Sequence, residues 1–479
     1  YDSYSKRLFA SAEVHVAEVP PWARRFLPAG YEVTKGVLDG SFVLQRNLVQ
    51  RSGGTSAEMH YALRSHVKNV DGAVPWIRGD VRIADGLVSV QDGSVRADLS
   101  GTAAGERVRV ALGLDMADSV RYDAAIYGPE LTMPPSVHAV RALDGEPSRW
   151  LSRLTGRAAL LLRISGARGR TFISGTAKLR CAGRVGSDLE LVKPSDVIIT
   201  ASGPMDNPSY SAEGSLPVCR VAGVSVGEVR GFVGGSLKSA RAAAHARIAG
   251  GSVSVESVFQ HTHDSWGYEG SIRVRSIRLD EAQSQLTRIG RSRGTQIAEP
   301  AERAAGLADA DVHVRGDSKN PVSTADAIVQ VTAPGYGRIL LDRAEVVGSY
   351  GKGTVTIRRA SAEIGSALAV LHGTLDPLKG TGSLSAECDR VPMQTVAEWA
   401  GLRPEQQPTG TLALRSGHIE GDLRRPSLQG FVHVEAPRLS NWDADYAAVY
   451  VSGSPGSLAI DGEIVRQPAV GTLQGLVRR

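Results

Sequence analysis

The chain has 479 residues, of which 42% are hydrophobic and 22% charged, a composition typical of a folded protein. The formal net charge is only +5 and charges of both signs are interspersed, which does not indicate nucleic-acid binding. Cys181, Cys219 and Cys388 lie far apart, without CxxC or Cys/His spacing, so neither a disulfide scaffold nor a zinc motif is indicated. The sequence contains no run of about 18 apolar residues of the kind that forms a transmembrane helix.

Apolar and polar residues alternate along most of the chain. In RVRVALGLDM, for example, Val108 and Val110 fall on one face of an extended strand, and Arg107 and Arg109 fall on the other. Gly, Asn, Asp or Ser interrupts the runs at short intervals, as hairpin turns require, whereas a buried parallel sheet would show continuous apolar runs. The pattern predicts an all-β fold: a long, twisted antiparallel β-sheet, curled into an open groove, with one dry face, one wet face and a few short helices.

Four segments have the spacing of short amphipathic helices. They are residues 17–28, 146–157, 278–290 and 391–402. The second segment carries Trp150, Leu151 and Leu154 on one side, and the third carries Leu279, Ala282, Leu286 and Ile289 at helical spacing. We expect these helices to plug or cap an exposed aliphatic sheet face.

One sequence motif occurs three times along the chain. Gly-x4-Pro follows an alternating run at Gly203 to Pro208, Gly316 to Pro321 and Gly421 to Pro426. Each occurrence predicts a strand, a tight polar turn and a new strand. The second and third occurrences continue into VQVTAP (329–334) and VHVEAP (432–437). This self-similarity predicts a repetitive architecture instead of one compact core.

We expect one continuous elongated unit made of three segments. They are a β-groove segment at 1–145, a segment with two of the short helices at 146–295, and β-groove repeats with a further helix at 296–479. The sequence starts without Met and enters an alternating pattern at once. We therefore expect it to be a piece of a longer protein, with any signal or membrane anchor outside this segment.

The repeated unit resembles the C-terminal repeats of the AsmA-like and TamB (translocation and assembly module) superfamily of diderm bacterial envelopes. The residues that carry the resemblance are Gly421, Pro426, Gly430, Val432, Val434 and Pro437. The preceding VPMQTVAEWAGLRPEQQPTGTLALRSGHIEG resembles that family's order of short helix, polar linker and G-x-L-x-L-x-x-G-x-I-x-G. AGYEVTKGVLDGSFVL (29–44) is similar in the same way. The family's anchor helix is absent from this sequence, so membrane attachment is not transferred with the resemblance.

The resemblance implies a repeating β-groove that conducts phospholipid acyl chains across the periplasm. Inner- and outer-membrane proteins would lie at its two ends, and an anchor outside this segment would hold it at the inner membrane. No catalytic residue, metal or cofactor is expected, and the protein would not be an enzyme. The residues predicted to line the groove are Val108, Val110, Leu112, Leu114, Val197, Ile199, Val312, Val314, Val329, Val331, Leu412, Leu414, Val432 and Val434.

Three short motifs suggest other chemistry. GVSVG places Ser225 in a G-x-S-x-G pattern, but alternation on both sides predicts a strand in place of a nucleophile elbow. HTHD (261–264) offers two histidines without a third ligand at a metal-site spacing. GSYGKGT (348–354) lacks the phosphate-loop spacing and predicts a hairpin turn. The basic clusters LRRP and RRAS are expected to be solvated charges of the outer face.

The sequence is also compatible with functions of two other classes. The groove could hold a helix or strand of a protein, as in an envelope scaffold or a chaperone for outer-membrane protein assembly. A long, Gly-rich carbohydrate-active β-helix would need clustered carboxylates on one strand face, and the sequence has none. The alternating strands would also suit an ordinary closed sandwich, although the persistence of the repeats favours the groove.

Overall fold

A computed structural model describes residues 8–16, 32–51, 54–75, 77–116, 120–133, 153–167, 169–185, 189–262, 265–292, 302–423, 425–440, 442–454, 457–466 and 469–478. Its contacts divide the chain into two compact units, Tyr1–Ala240 and Arg241–Arg479, and each is described by itself. The boundary differs from the expected division into three segments, which stays a prediction.

The first unit is built from antiparallel strands. They are β1 (Leu8–Val16), β2 (Glu32–Arg51), β3 (Gly54–Ala73), β4 (Val81–Gln91), β5 (Ser94–Ala103), β6 (Glu106–Asp115), β7 (Arg121–Met133), β8 (Leu154–Ala167), β9 (Arg170–Val185), β10 (Leu189–Pro204), β11 (Ser209–Val221) and β12 (Val224–Gly235), while β13 (Ser239–Ile248) spans the boundary. From β1 to β12 each strand pairs antiparallel with the next one in the chain. Among the described residues β1 does not pair with β12, so the sheet of this unit is open.

The second unit continues the same scheme. Its elements are β14 (Gly251–Thr262), β15 (Ser265–Arg278), α1 (Leu279–Ser292), β16 (Ala304–Asp317), β17 (Thr324–Tyr336), β18 (Ile339–Leu340), β19 (Arg343–Gly351), β20 (Thr354–Ile364), β21 (Ala367–Asp376), β22 (Thr381–Pro392), α2 (Met393–Trp399), a 3₁₀ turn (Pro404–Gln406), β23 (Thr409–Asp422), β24 (Ser427–Leu439), β25 (Trp442–Asp443), β26 (Tyr446–Ser454), β27 (Ser457–Arg466) and β28 (Ala469–Arg478). Successive long strands pair antiparallel, and the two-residue strands β18 and β25 fold back on β17 and β24. The predicted all-β, antiparallel and open sheet is therefore confirmed.

The connections follow the turn signals of the sequence. Between β19 and β20, Lys352 and Gly353 both have left-handed backbone conformations, with φ of 52° and 81°. Two such residues form a type I′ turn, whose twist matches that of the flanking strands. The GSYGKGT motif is thus a hairpin turn, as predicted. The three Gly-x4-Pro phrases likewise join β10 to β11, β16 to β17 and β23 to β24.

The repeats share a second backbone feature beyond the Gly-x4-Pro turn. β17 and β24 carry VQVTAP and VHVEAP, in which Ala333 and Ala436 adopt φ of 49° and 47° before a proline. Alanine rarely adopts this conformation, and here the backbone N–H of each alanine donates to a carbonyl oxygen of the returning chain, at 2.9 Å. The two segments therefore share a local backbone conformation as well as a sequence motif.

The helix predictions have mixed outcomes. The prediction for 278–290 is confirmed by α1, and the one for 391–402 by the shorter α2. The prediction for 146–157 is wrong from Leu154 onward, because Leu154 begins β8, pairs with Gly183 and is 4% exposed. Cross-strand partners on β7 and β9 outweigh the weak helical spacing there. Residues 146–152 and the predicted helix at 17–28 lie outside the described residues.

Each unit has a single layer of sheet. Strands make their extensive contacts with their ladder neighbours, while α1 packs on β15 and β16 and α2 on β22 and β23. Within the described parts of the chain no second sheet stacks on either unit. The accessible surface is 30782 Å². Two separate compact proteins of half this mass would together expose only about 21,000 Å². This large surface agrees with the single layer formed by the described strands.

Candidate functional site: an open aliphatic face

One face of the second unit consists of apolar residues and glycine. Directly opposed residues of an antiparallel pair point to the same face, so the strand register can be followed from strand to strand. One such row crosses ten strands and contains Ala310, Val329, Val346, Ala360, Leu371, Ala386, Gly417, Gly430, Val451 and Ile460. No polar side chain interrupts this row.

Two neighbouring rows have the same composition. The row on one side contains Ala308, Val331, Ala344, Ala362, Ala369, Cys388, Leu414, Val432, Val449 and Gly462. The row on the other side contains Val312, Ala327, Gly348, Ile357, Gly373, Leu384, Ile419, Leu428, Gly453 and Leu458. The three rows make a continuous aliphatic surface, which we call the apolar face of this unit.

The first unit has an apolar face of the same kind. One row contains Leu99, Val110, Ile126, Leu162, Gly175 and Ala201, and the next contains Ala97, Leu112, Ala124, Ile164 and Ile173. Further along the strands, Ile199 lies between Ala177 and Ala212, and Val197 lies between Leu179 and Gly214. The strand register thus carries the aliphatic surface from β5 to β11.

All fourteen residues predicted to line a groove lie on the apolar face of their own unit. In the first unit these are the four from β6 and the two from β10; in the second they come from β16, β17, β23 and β24. Leu412 faces Val434 and Leu414 faces Val432 across one strand pair. Contact of these residues with lipid stays a prediction.

The apolar faces are open to solvent. Leu112 is 44% exposed, Ile199 39% and Val346 38%, and most other residues of the rows are half-buried among their neighbours. The buried side chains of the second unit, such as Ile277 and Val391, gather near α1 and α2 at one end of the strands. The described chain therefore buries one margin of this face and leaves its middle uncovered.

The opposite face is covered with cross-strand ion pairs. In the first unit, the Arg109 Nε donates to Asp98 and the Arg163 Nε to Asp123, each at 2.8 Å. These bonds hold the pKa of both carboxyl groups below the ordinary aspartate value, against the opposing effect of slight burial. Such pairs balance charge on the surface without burying it. The polar face is therefore suited to contact with water.

The second unit has the same arrangement on its polar face. Its cross-strand pairs include Arg275 with Asp311 at 2.9 Å, Arg315 with Glu269 at 2.7 Å, Arg358 with Asp326 at 2.8 Å and Arg466 with Asp443 at 3.0 Å. All of these side chains are largely exposed, so each pair contributes little to stability. Their regular use makes the two faces differ in chemistry along the whole unit.

The motifs that suggested other chemistry have ordinary places in the sheets. Ser225 is an exposed residue inside β12, opposite Arg220, and no helix follows it. His261 packs against Trp266 with ring centroids 5.1 Å apart, while His263 and Asp264 lie outside the described residues. The described residues contain no group of three metal-ligating side chains. Burial raises the pKa of the Cys181 and Cys219 thiols, which makes them poor nucleophiles at neutral pH.

Sequence reasoning missed one class of residue on the apolar faces. Aromatic side chains lie on them. Tyr122 and Tyr210 in the first unit, and Phe259, Trp266, Tyr268 and Tyr350 in the second, lie close to one end of their strands, whereas Phe42 and Tyr61 lie well inside β2 and β3. The signal available in the sequence for the first six was their position near the connection between two strands, on the apolar phase of the alternation.

The described helices are all too short or too polar to cross a membrane. Comparison with known proteins adds no relative, since no protein-family model, curated protein or solved structure matches this chain.

Proposed function

We propose that this protein binds the acyl chains of lipids on its apolar faces and lets them move along the rows. The observation that carries the proposal is the single-layer sheet of each unit, with a continuous aliphatic face whose middle no other described element covers. Exposure of a continuous aliphatic surface to water is unfavourable in free energy unless a hydrophobic ligand covers it.

The energetics favour an acyl chain as the occupant. Removing a 16-carbon chain from water stabilises it by roughly 12 kcal/mol, at about 0.8 kcal/mol per CH₂ group. The middle rows are built from Val, Leu, Ile, Ala and Gly, so neighbouring positions offer nearly the same environment. No position on such a surface binds a lipid much more strongly than its neighbours, so the lipid can slide along the surface while its polar end stays in water.

In its finer form the proposal follows the resemblance to the AsmA-like and TamB superfamily. The protein then serves as part of a lipid bridge across the periplasm of a diderm envelope, between inner- and outer-membrane partners. No residue needs to perform chemistry on this proposal. The alternation of the strands is itself the mechanism, because it keeps one face dry and the other wet.

Mass spectrometry of molecules extracted from the purified protein tests the proposal. We expect acyl lipids in amounts comparable to the protein, absent from a folded control protein purified in the same way. Recovery of a polypeptide and no lipid would instead favour the scaffold or chaperone function. Protein that is folded but free of both would contradict the proposal.

A further inference from the structure

On the apolar face of the second unit, Phe259, Trp266, Tyr268 and Tyr350 lie toward one end of the strands. We call this end the turn margin: in the second unit it holds the turns that follow β14, β16, β19, β21, β23 and β26. Trp266 and Tyr268 lie at the start of β15, and Tyr350 is the last residue but one of β19. The three aliphatic rows of this unit contain no Phe, Tyr or Trp.

Tyrosine and tryptophan favour positions where one end of the ring meets hydrocarbon and the other meets water. At the opposite end of the same strands, α1 and α2 bury small and aliphatic residues, and the aromatic residues Tyr336 and Trp442 are exposed there. The two margins of the apolar face are therefore chemically unequal. A symmetric aliphatic surface would not distinguish the two ends of a bound amphiphile, whereas this one does.

The turn margin of the second unit also presents an unpaired cation. Lys352 forms no ion pair with a carboxylate of the described residues, whereas Lys319 lies close enough to Asp317 to help lower the pKa of that carboxyl group. The nearby acids are engaged by turn backbone: the Asp317 carboxylate accepts the N–H groups of Lys319 and Asn320 at 2.7 Å, and Asp376 is held in the same way. These backbone bonds lower the pKa of both carboxyl groups. Both carboxylates therefore stay negatively charged, with their oxygens occupied by turn backbone, and Asp376 also pairs with Lys379 at 3.1 Å. At the β19–β20 turn, the charge available to a ligand is that of Lys352.

Some tyrosine hydroxyls of the apolar faces form hydrogen bonds that stabilise the hairpin turns. The Tyr61 hydroxyl accepts the N–H of Gly93 at 3.0 Å, Tyr122 bonds the Thr171 hydroxyl, and Tyr268 donates to the Pro321 carbonyl oxygen. Tyr350 is different: it is half-buried on the apolar face, and its hydroxyl has no partner among the residues described. It lies two residues before Lys352, so a free hydroxyl and a free ammonium occur together at one turn.

We propose that the turn margin is the edge at which the polar end of a bound phosphate-bearing lipid lies, with its acyl chain directed along the strands toward α1 and α2. Tyr350 donates a hydrogen bond to the polar end, and Lys352 attracts its negative charge. The strands are long enough for this orientation, since nine to fourteen residues span about 30–45 Å. The orientation rests on the proposed function, because it assigns a direction to a lipid that the apolar face must first bind.

Depth-dependent fluorescence quenching tests the orientation. Two single-tryptophan proteins are needed, one keeping Trp266 at the turn margin and one keeping Trp399 in α2, with the other five tryptophans changed to Phe. The probes are two phosphatidylglycerols, brominated near the ester end or near the methyl end of the acyl chain. We expect Trp266 to be quenched more strongly by the ester-end bromine and Trp399 by the methyl-end bromine. Circular dichroism establishes that both variants keep the β-fold.

The outcomes separate the two proposals. Quenching that is equal for both probes, or reversed between the tryptophans, overturns the orientation and leaves lipid binding intact. Absence of quenching by either probe in both folded variants overturns lipid binding and the orientation with it. A second measurement uses Tyr350→Phe, which should weaken binding of unbrominated phosphatidylglycerol about fivefold, the effect of one lost neutral hydrogen bond. Unchanged affinity would remove Tyr350 from the polar contact.

Discussion

Two adjacent isoleucines in β10 provide a matched test of the apolar face. Ile199 lies on this face between Ala177 and Ala212 and is 39% exposed. Ile198 lies on the polar face between Lys178 and Glu213 and is 43% exposed. The changes Ile199→Asp and Ile198→Asp therefore alter the same residue type, in the same strand, at nearly the same exposure. They differ in the face that receives the charge.

The expected magnitude follows from the exposed fraction. Full burial of an isoleucine side chain contributes about 1.5–3 kcal/mol, so a lipid that covers the exposed 39% of Ile199 gains about 0.6–1.2 kcal/mol there. Aspartate removes this gain and adds the cost of covering a carboxylate with hydrocarbon, which amounts to several kcal/mol. Together these effects weaken binding across this position by at least about tenfold, since each 1.4 kcal/mol is a factor of ten.

The assay is the lipid-to-protein ratio after purification, together with transfer of a fluorescent lipid between vesicles. Ile199→Asp should lower both, while Ile198→Asp should match the unaltered protein. Thermal denaturation followed by circular dichroism checks that the two variants are equally folded. Equal lipid occupancy and equal transfer in the two variants would refute the assignment of the apolar face as the binding surface.

Three further predictions concern stability and reactivity. Gly373→Ala should lower the free energy of unfolding by more than about 1 kcal/mol, because φ is 147° and the new Cβ would meet a carbonyl oxygen of β22, whereas Gly475→Ala meets nothing and should be near neutral in urea titrations. Cys219 should resist alkylation at neutral pH until urea unfolds the sheet, because burial raises its thiol pKa. Rapid alkylation of Cys219 in the native protein, detected by mass spectrometry, would contradict this. The hydrogen bond from Arg163 lowers the Asp123 pKa, so its small stabilisation is present above the unfolded-state pKa and is lost as pH falls through the folded-state value. Asp123→Asn should therefore lower the melting temperature at pH 7 and lose this difference in acid.

The strands and their faces could be predicted because alternation is a strictly local signal. A residue on the apolar phase of a strand stays on the apolar face for as long as the ladder is regular, which is why Leu112 and Val329 fall where the sequence places them. The absence of a second layer could not be read in the same way. Strands of a closed sandwich alternate identically, so only the contacts between elements decide whether that face is covered.

The helices show where tertiary contacts override local sequence patterns. The spacing in α1 predicts an inward face containing Leu286, yet Leu286 is 61% exposed and Thr287 is 8% exposed. The helix begins just after Ser276, whose φ is 55°, and Gln283 bonds the backbone of Glu302 and Ala304 at the start of β16. These backbone contacts orient the helix, and a count of apolar spacings contains no information about them.

The pairing of each strand with its neighbour in the chain has a consequence for folding. All-β proteins usually fold slowly, because their pairings join residues distant in sequence. In each unit most pairings join consecutive strands across a short turn, with longer connections before β2, β8, β16 and β23, so the ladder can grow largely one hairpin at a time. The free energy of such a ladder is close to a sum of nearest-neighbour contributions. Damage to one strand should therefore open the ladder locally, and hydrogen exchange should report a series of separate openings in place of one global unfolding event.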